Sequence, residues 1–187
     1  MGKVRCKWCL SSEKMMAYHD KEWGVPVHDD NLLFEYIVLD AFQAGLSWST
    51  VLNKRENFEK AFDKFNAKKI AKYNDKKIAA LINDAGIIRN KAKIHATVTN
   101  AKAFLEIQKE FGTFDKFIWQ FTNQKTINHK IKDQSQILSR SPESDAMSKE
   151  LIKRGFKFVG TTICYAFMQA AGMVNDHLTG CFRHKQV

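Results

Sequence analysis

The sequence predicts an all-α fold, because its apolar residues recur at helical spacing along nearly the whole chain. Apolar side chains three and four positions apart mark one face of a helix, whereas half-buried strands alternate apolar and polar residues. No convincing alternation of that kind is present. Several of the helical segments also begin at a capping residue or end at a glycine. We therefore expect helices joined by short connections.

Each predicted helix follows from this spacing. The first begins after Asp29, Asp30 and Asn31, whose side chains can cap a helix, and ends at Gly45. The later helices are predicted over residues 50–65, 67–73, 75–85, 89–111, 114–121 and 144–154, with a last one starting near Thr161. Residues 123–141 are polar and aperiodic, so we expect a long connection inside the domain.

Composition indicates one domain covering residues 1–187. The chain has 187 residues, 44% of them hydrophobic and 14 of them Phe, which suffices for a core without disulfides. It has no run that could span a bilayer, no signal peptide and no heptad pattern, so we expect a monomeric, soluble, cytoplasmic protein without membrane contact. A net charge of +10, from 30 Lys and Arg against 20 Asp and Glu, favours an anionic polymer as partner.

Two Cys/His pairs lie at opposite ends of the chain. Cys6 and His19 are near the start, and His177 and Cys181 are near the end. Two thiolates and two imidazoles complete the tetrahedral site of a structural zinc ion, which leaves no open position for a substrate. The alternative is that the cysteines are small buried hydrophobic residues and the histidines are ordinary core or surface residues. The spacing alone does not decide between them.

One carboxylate interrupts the apolar face of the first long helix. At about 100° per residue, Asp40 lies within roughly 40° of Leu33 on the stripe that also contains Ile37. A buried unpaired charge is costly, so Asp40 should either bond the exposed amides of a neighbouring helix or line a ligand pocket. The segment 43–48, which has a central glycine and ends in Trp48, follows immediately. This combination favours a ligand site.

Residues 153–172 predict two helices joined by a tight turn that contains Gly155 and Gly160. Glycines let a phosphate approach the backbone, and the amides at the start of the second helix point at the anion. Lys153, Arg154 and Lys157 add positive charge. Such a hairpin would hold DNA by its backbone without reading sequence. An ordinary helix turn is the alternative.

Five segments together closely resemble the 3-methyladenine DNA glycosylase I family, in its order and at its spacing. They are residues 6–8, 17–26, 43–48, 154–160 and 175–177 with Cys181, and the resemblance covers nearly the whole chain. It implies a helix-hairpin-helix DNA glycosylase fold whose termini are joined by one structural zinc ion. The family's zinc ligands match Cys6, His19, His177 and Cys181 residue by residue.

The resemblance also implies a reaction: a damaged base is flipped from double-stranded alkylated DNA, and 3-methyladenine is released by hydrolysis of its N-glycosidic bond. By this resemblance Asp40 is the catalytic carboxylate of the pocket, where the family usually has Glu. Trp48 would stack on the base, with Tyr18 and Trp23 as walls, and Met15 stands where some relatives have Tyr. No general base is assigned.

The residues expected to contact DNA fall in two groups. The hairpin contributes Lys153, Arg154, Gly155, Lys157, Gly160 and Thr161, and the loop after Asp40 contributes Gly45 and Leu46. Leu46 could fill the space left by the flipped base, or it could pack in the core. The basic stretch 89–93 is a further candidate. Two other functions fit the sequence less well: a DNA- or lesion-binding protein without turnover, and a zinc-stabilised helical adaptor for proteins.

Overall fold

Helices form the framework of the computed structural model, which describes residues 2–187. In that range the α-helices are α1 (Glu13–Lys21), α2 (Asp30–Gln43), α3 (Trp48–Ala61), α4 (Ala67–Ile70), α5 (Asp75–Asn83), α6 (Lys91–Phe111), α7 (Phe114–Ile118), α8 (Pro142–Lys153) and α9 (Thr161–Ala170). Short 3-10 helices cover Lys7–Ser11, Asp63–Phe65, Trp119–Thr122 and Gln134–Gln136. The predicted helical fold is therefore confirmed.

The predicted start signals act as caps. Asp29 accepts a hydrogen bond from the amide of Leu32 at the start of α2. Ser141 and Ser144 cap α8 reciprocally, with Pro142 as its first residue. These side chains satisfy amides that have no partner inside their own helix.

Three details differ from the prediction. The helix predicted over 50–65 ends at Ala61, because Asp63, Lys64 and Phe65 have positive φ angles of 50°, 55° and 55° and form a separate turn. Helix α1 was not predicted, since its sequence is largely polar. Strands β1 (Ile127–Asn128) and β2 (Val174–Asn175) form a parallel pair of two residues each, which is too short to show alternation in the sequence.

Helix α2 passes through the centre of the main core and positions Asp40. Its side chains from Leu33 to Phe42 are buried except for Glu35, and it packs against α3, α6, α7 and α9. The phenylalanines of these helices supply much of the apolar surface that this core removes from water. A second, smaller cluster near the termini contains Cys6, Met15, Tyr18, Trp23, Leu52 and Cys181.

Residues 123–141, between the 3-10 helix Trp119–Thr122 and α8, form a long polar connection, as predicted, which holds β1 and the 3-10 helix Gln134–Gln136. Ile137 from this connection lines the cavity described below. None of the helices within residues 2–187 is both long enough and apolar enough to cross a membrane.

Candidate active site

A cavity of about 300 Å³ lies where α1, α2, the start of α3 and α9 meet. Its walls include the aromatic side chains of Trp8, Tyr18, Trp23 and Trp48. Its polar lining comes from Asp40, Gln43, Gln134 and Gln169. An apolar cavity with a few converging polar groups is the usual form of a small-molecule site.

The aromatic walls support one another. The ring centroids of Tyr18 and Trp48 are 5.1 Å apart, and those of Trp8 and Trp23 are 4.9 Å apart in an edge-to-face arrangement. Trp48 is placed by the start of α3, where Ser47 caps the helix and accepts a hydrogen bond from the amide of Thr50. These contacts hold flat faces in position for a planar ligand.

Asp40 is the buried carboxyl group of the cavity. Its exposed fraction is 2%, and burial raises its pKa well above the ordinary value. No group in residues 2–187 lies within hydrogen-bonding distance of its Oδ2 atom. The alternative that Asp40 caps a neighbouring helix therefore has no support, and burial favours the protonated form of its carboxyl group.

Two indole nitrogens share this lack of partners. The Nε1 atoms of Trp8 and Trp48 are buried and have no acceptor in the described chain. In contrast, Nε1 of the buried Trp119 donates to the carbonyl of Val27 at 2.8 Å. Leaving buried polar groups unpaired costs about 1–3 kcal/mol each, and natural proteins keep few of them. Three around one cavity indicate a polar ligand.

The four Cys and His residues predicted as metal ligands come together at the second core cluster. Cys6, His19, His177 and Cys181 are buried, and their ligand atoms all lie within 4.8 Å of one another. The Sγ atom of Cys181 is 3.4 Å from Nε2 of His19 and 3.7 Å from Nδ1 of His177, which is 3.8 Å from Sγ of Cys6. A tetrahedral zinc ion separates sulfur and nitrogen ligands by about 3.6 Å, so the spacing fits a metal ion.

The surrounding groups orient this cluster. The Nδ1 atom of His19 is 2.8 Å from Oδ1 of Asp20. Arg5 donates hydrogen bonds to the same carboxylate, and the bonds from Arg5 and His19 lower the pKa of Asp20 to about 2. The Nε2 atom of His177 is 3.0 Å from the carbonyl oxygen of Trp23. Each imidazole thus uses one nitrogen for a fixed partner and turns the other to the cluster, which is usual for metal-binding histidines.

Burial also prepares the protonation states of the cluster. It lowers the pKa of His177 to about 4, and so favours the neutral imidazole that a metal ion requires. Burial raises the pKa of the Cys6 thiol to about 12. A divalent cation would have to displace that proton, so metal binding should release protons.

The hairpin between α8 and α9 presents backbone groups to solvent. Gly155 has φ +94°, a conformation that favours glycine. The space beside Gly160 is open, since a Cβ atom there would meet no atom of residues 2–187 within 4 Å. Gly160 precedes α9, whose first amides receive no side-chain cap. Asn100 holds the turn by bonding both the amide and the carbonyl of Lys157.

The basic residues of the hairpin differ in availability. Lys153 and Lys157 are exposed. Arg154, by contrast, bonds Glu110 and Glu150, and its guanidinium lies 5.1 and 5.0 Å from the ring centroids of Phe111 and Phe117. The Thr161 hydroxyl lies between Ser144 and Asp145. Arg154 and the Thr161 hydroxyl are therefore engaged inside the protein, because acidic and polar neighbours occupy their donors.

The loop after α2 is exposed to solvent, and a buried lysine side chain holds the backbone where the loop begins. Gly45 is exposed and Leu46 is 43% exposed, so the alternative that Leu46 packs in the core is wrong. Lys93, predicted as part of a basic DNA-facing stretch, is instead buried. Its Nζ atom donates to the carbonyls of Phe42 at 2.8 Å and Ala44 at 2.6 Å, at the carbonyl end of α2.

One predicted pocket residue lies elsewhere, and several residues that line the cavity were not in the predicted set. Met15 does not line the cavity, because its side chain packs in the second core cluster together with Leu52. Trp8 and Gln169 do line it. Gln169 is a polar residue in the mainly apolar second half of helix α9, and a polar residue in an apolar stretch is also the signal that singled out Asp40.

The sequence and the fold both match known proteins. The model of the family described as methyladenine glycosylase matches residues 8–184. DNA-3-methyladenine glycosylase 1 of Escherichia coli (strain K12) is 49% identical over 177 residues, which cover 95% of each chain.

Solved structures agree. A crystal structure of 3-methyladenine DNA glycosylase I superposes with a TM-score of 0.93 at 47% identity, covering 96% of this chain and 98% of the other. A variant of 3-methyladenine DNA glycosylase I in complex with 3-methyladenine gives a TM-score of 0.92 at 32% identity, covering 95% and 96%. The chain belongs to the methyladenine glycosylase family.

Proposed function

We propose that this protein excises 3-methyladenine from alkylated DNA by hydrolysing the N-glycosidic bond, leaving an abasic site. The observation that carries this proposal is the aromatic cavity lined by Asp40, Trp8 and Trp48, each of which has a buried polar atom with no hydrogen-bond partner in residues 2–187. Relatives that share nearly the whole chain are named for the same activity, and one was solved with 3-methyladenine.

The cavity suits a flipped methylated base. A base in a duplex must leave the stack before an enzyme can act on it, and a damaged base costs less to extrude. N3-methylation gives the base in DNA a positive charge, which the faces of Trp48 and the other aromatic walls attract. An unmethylated adenine lacks this charge, so the aromatic walls favour the lesion.

Asp40 would respond to the charge of the base. Burial favours its neutral form in the free protein, and a cationic base nearby would favour the carboxylate. The carboxylate would then stabilise positive charge on the base and on the sugar as the bond breaks. The departing base keeps the bonding electron pair and becomes neutral, so no proton has to be delivered to it. Asp40 therefore acts through electrostatics.

We also propose that the Cys/His cluster binds one structural zinc ion. Its four donors, their spacing and their oriented imidazoles support zinc over a hard cation, which prefers oxygen ligands. His177 bonds the carbonyl of Trp23, a wall of the cavity, so the ion would also stabilise that wall. When bound, zinc would cross-link the two ends of the chain and take no part in the reaction.

For DNA binding we propose that α8, its turn and α9 form a helix-hairpin-helix that holds one phosphate backbone. The free amides of α9 and the open space over Gly160 support this role, with Lys153 and Lys157 as the available cations. Gly155 would shape the turn, and Thr161 would contribute its backbone amide. Leu46, exposed beside Gly45, would fill the gap left by the flipped base.

The test is release of free 3-methyladenine from methylated duplex DNA by the purified protein, with Asp40→Glu and Asp40→Asn alongside. We expect release by the parent, and a loss of about 10²-fold or more in the Asn variant, which cannot become a carboxylate. Release by the Glu variant would show that a longer acid also reaches the base.

Two results would contradict the proposal. If neither the parent nor Asp40→Glu releases 3-methyladenine, the protein is not this enzyme. DNA binding then separates two alternatives. If the inactive parent binds methylated DNA more tightly than undamaged DNA, the chain is a lesion-binding protein without turnover.

A further inference from the structure

The polar side chain of Gln169 connects the cavity to a buried hydrogen-bond network. It lies in the last turn of α9, and its side chain lines the cavity. Its Nε2 atom donates to Oδ2 of Asp176 at 2.8 Å. Its backbone carbonyl accepts from the amide of Gly24, next to the cavity wall Trp23. Both the backbone and the amide end of Gln169 are therefore held.

The network determines which way the Gln169 amide points. Asp176 is 1% exposed; its Oδ2 also accepts from the hydroxyl of Tyr165 at 2.8 Å, and its Oδ1 lies 2.6 Å from Nδ1 of His129. A carboxylate only accepts hydrogen bonds, so the NH₂ end of the amide must face Asp176. The carbonyl Oε1 is then turned away from the network, and no protein donor in residues 2–187 bonds it.

The other cavity groups are less restricted. Gln43 lines the cavity, and its amide makes no hydrogen bond within the described chain, so it can present either end to a ligand. The protonated form of Asp40, which burial favours, can both donate and accept. Gln169 differs from both because Asp176 holds its NH₂ end, which fixes the orientation of the amide and leaves Oε1 as an unbonded acceptor.

We propose that Gln169 is a specificity-determining residue: its fixed carbonyl accepts a hydrogen bond from the exocyclic amino group of the bound base. A 6-amino purine supplies such a donor, whereas a 6-oxo purine would place a carbonyl against Oε1 and leave both acceptors unpaired. An unpaired buried acceptor costs more than an absent one, so the site rejects the 6-oxo base. This inference rests on the proposed function.

The test uses free bases, which removes DNA binding and base flipping from the comparison. Tryptophan fluorescence would report binding of 3-methyladenine and of 3-methylhypoxanthine, in which a carbonyl replaces the amino group. The variant Gln169→Met removes the carbonyl with little change in volume, and Gln120→Met, at an exposed glutamine outside the cavity, is the matched control. A thermal melt of each variant verifies that it is folded.

We expect the parent to bind 3-methyladenine at least about 10-fold more tightly than 3-methylhypoxanthine. Gln169→Met should reduce that ratio at least about fivefold, and Gln120→Met should leave the ratio unchanged. Equal affinity of the parent for both bases would overturn the inference without reference to any variant, as would an unchanged ratio in a folded Gln169→Met protein. A parent that binds neither base would contradict the proposed function itself, and with it this inference.

Discussion

The Cys/His cluster and the cavity are neighbouring regions that differ in whether their buried polar atoms have partners. In the cluster, each imidazole has one nitrogen bound to a protein acceptor and the other turned to its fellow ligands. In the cavity, Asp40, Trp8 and Trp48 each keep a buried polar atom that has no hydrogen-bond partner in the described part of the chain. Trp23 belongs to both regions, since its ring lines the cavity and its carbonyl holds His177.

The difference separates residues that stabilise this fold from residues that bind its substrate. Satisfied buried groups add to stability, whereas unsatisfied ones reduce it until a ligand arrives. Changes to the cluster should therefore destabilise the protein. Changes to the cavity should lower activity and can raise stability.

The largest expected effect follows from removing a metal ligand. If the cluster binds zinc as proposed, Cys181→Ser should lose the ion and lower the free energy of unfolding by about 3–5 kcal/mol, because the ion would close a loop of more than one hundred residues. Metal analysis of the purified protein and urea denaturation measure both effects. Cys9→Ser is the matched control, since Cys9 is also buried but its thiol bonds only the carbonyl of Cys6. Full zinc content in Cys181→Ser would refute the ligand assignment.

In the cavity, Asp40→Asn should stabilise the protein at neutral pH. Burial raises the folded-state pKa of Asp40, so the unfolded state loses its proton first as the pH rises, and the parent loses stability from about pH 4 upward. Asn does not titrate. The stability advantage of the variant should therefore be smallest near pH 4 and grow by at most about 1.4 kcal/mol for each pH unit until the folded-state pKa is reached.

Urea denaturation at several pH values measures this advantage. Glu106→Gln, which removes an exposed carboxylate on α6, is the control and should show no such growth. An advantage for Asp40→Asn that is constant with pH would mean that Asp40 is not buried in its neutral form.

The sequence was informative where one residue type has few uses. Asp40 on an apolar stripe, four Cys and His residues and a Gly-containing basic turn each pointed to a feature that the structure contains. Trp8 was missed as a wall of the cavity because an aromatic residue is as common in a core as in a pocket. Gln169 was missed because its role depends on Asp176, which is brought to it only by the fold.

Charged residues were predicted least well. Lys93 and Arg154 were both assigned to a DNA-facing surface from local sequence. The partners that bury or occupy them, the carbonyls at the end of α2 and the side chain of Glu110, lie 44 to 51 residues away in the chain. A local pattern of positive charge carries no information about such partners.

A smaller effect is expected at the two hairpin glycines. Gly155→Ala should destabilise the protein by about 1–2 kcal/mol, because φ +94° is strained for a residue with a Cβ atom. Gly160→Ala should change stability by less than about 0.5 kcal/mol, since φ −60° and open space accept a Cβ, but it should weaken binding to DNA. Thermal melts and DNA titrations separate the two. Equal DNA affinity of Gly160→Ala and the parent would remove this turn from the interface.

The smallest effect concerns the charges of the hairpin. Lys157→Ala should flatten the dependence of log affinity on log salt by about 0.9 if its ammonium contacts one phosphate. Arg154→Ala should leave the slope unchanged and should instead lower stability, because its guanidinium joins α6 to α8 through Glu110 and Glu150. Titrations of undamaged duplex DNA at several salt concentrations measure both slopes. A flatter slope for Arg154→Ala would mean that the ion pairs open on DNA.

The most direct test of the contrast between satisfied and unsatisfied groups is an NMR titration of the indole N–H signals with free 3-methyladenine. We predict that the signals of Trp8 and Trp48, whose nitrogens have no protein acceptor, move on binding. The signal of Trp119, which already bonds Val27, should stay in place and serve as the internal control. If the signals of Trp8 and Trp48 stay fixed while the base binds, the cavity is not the base-binding site.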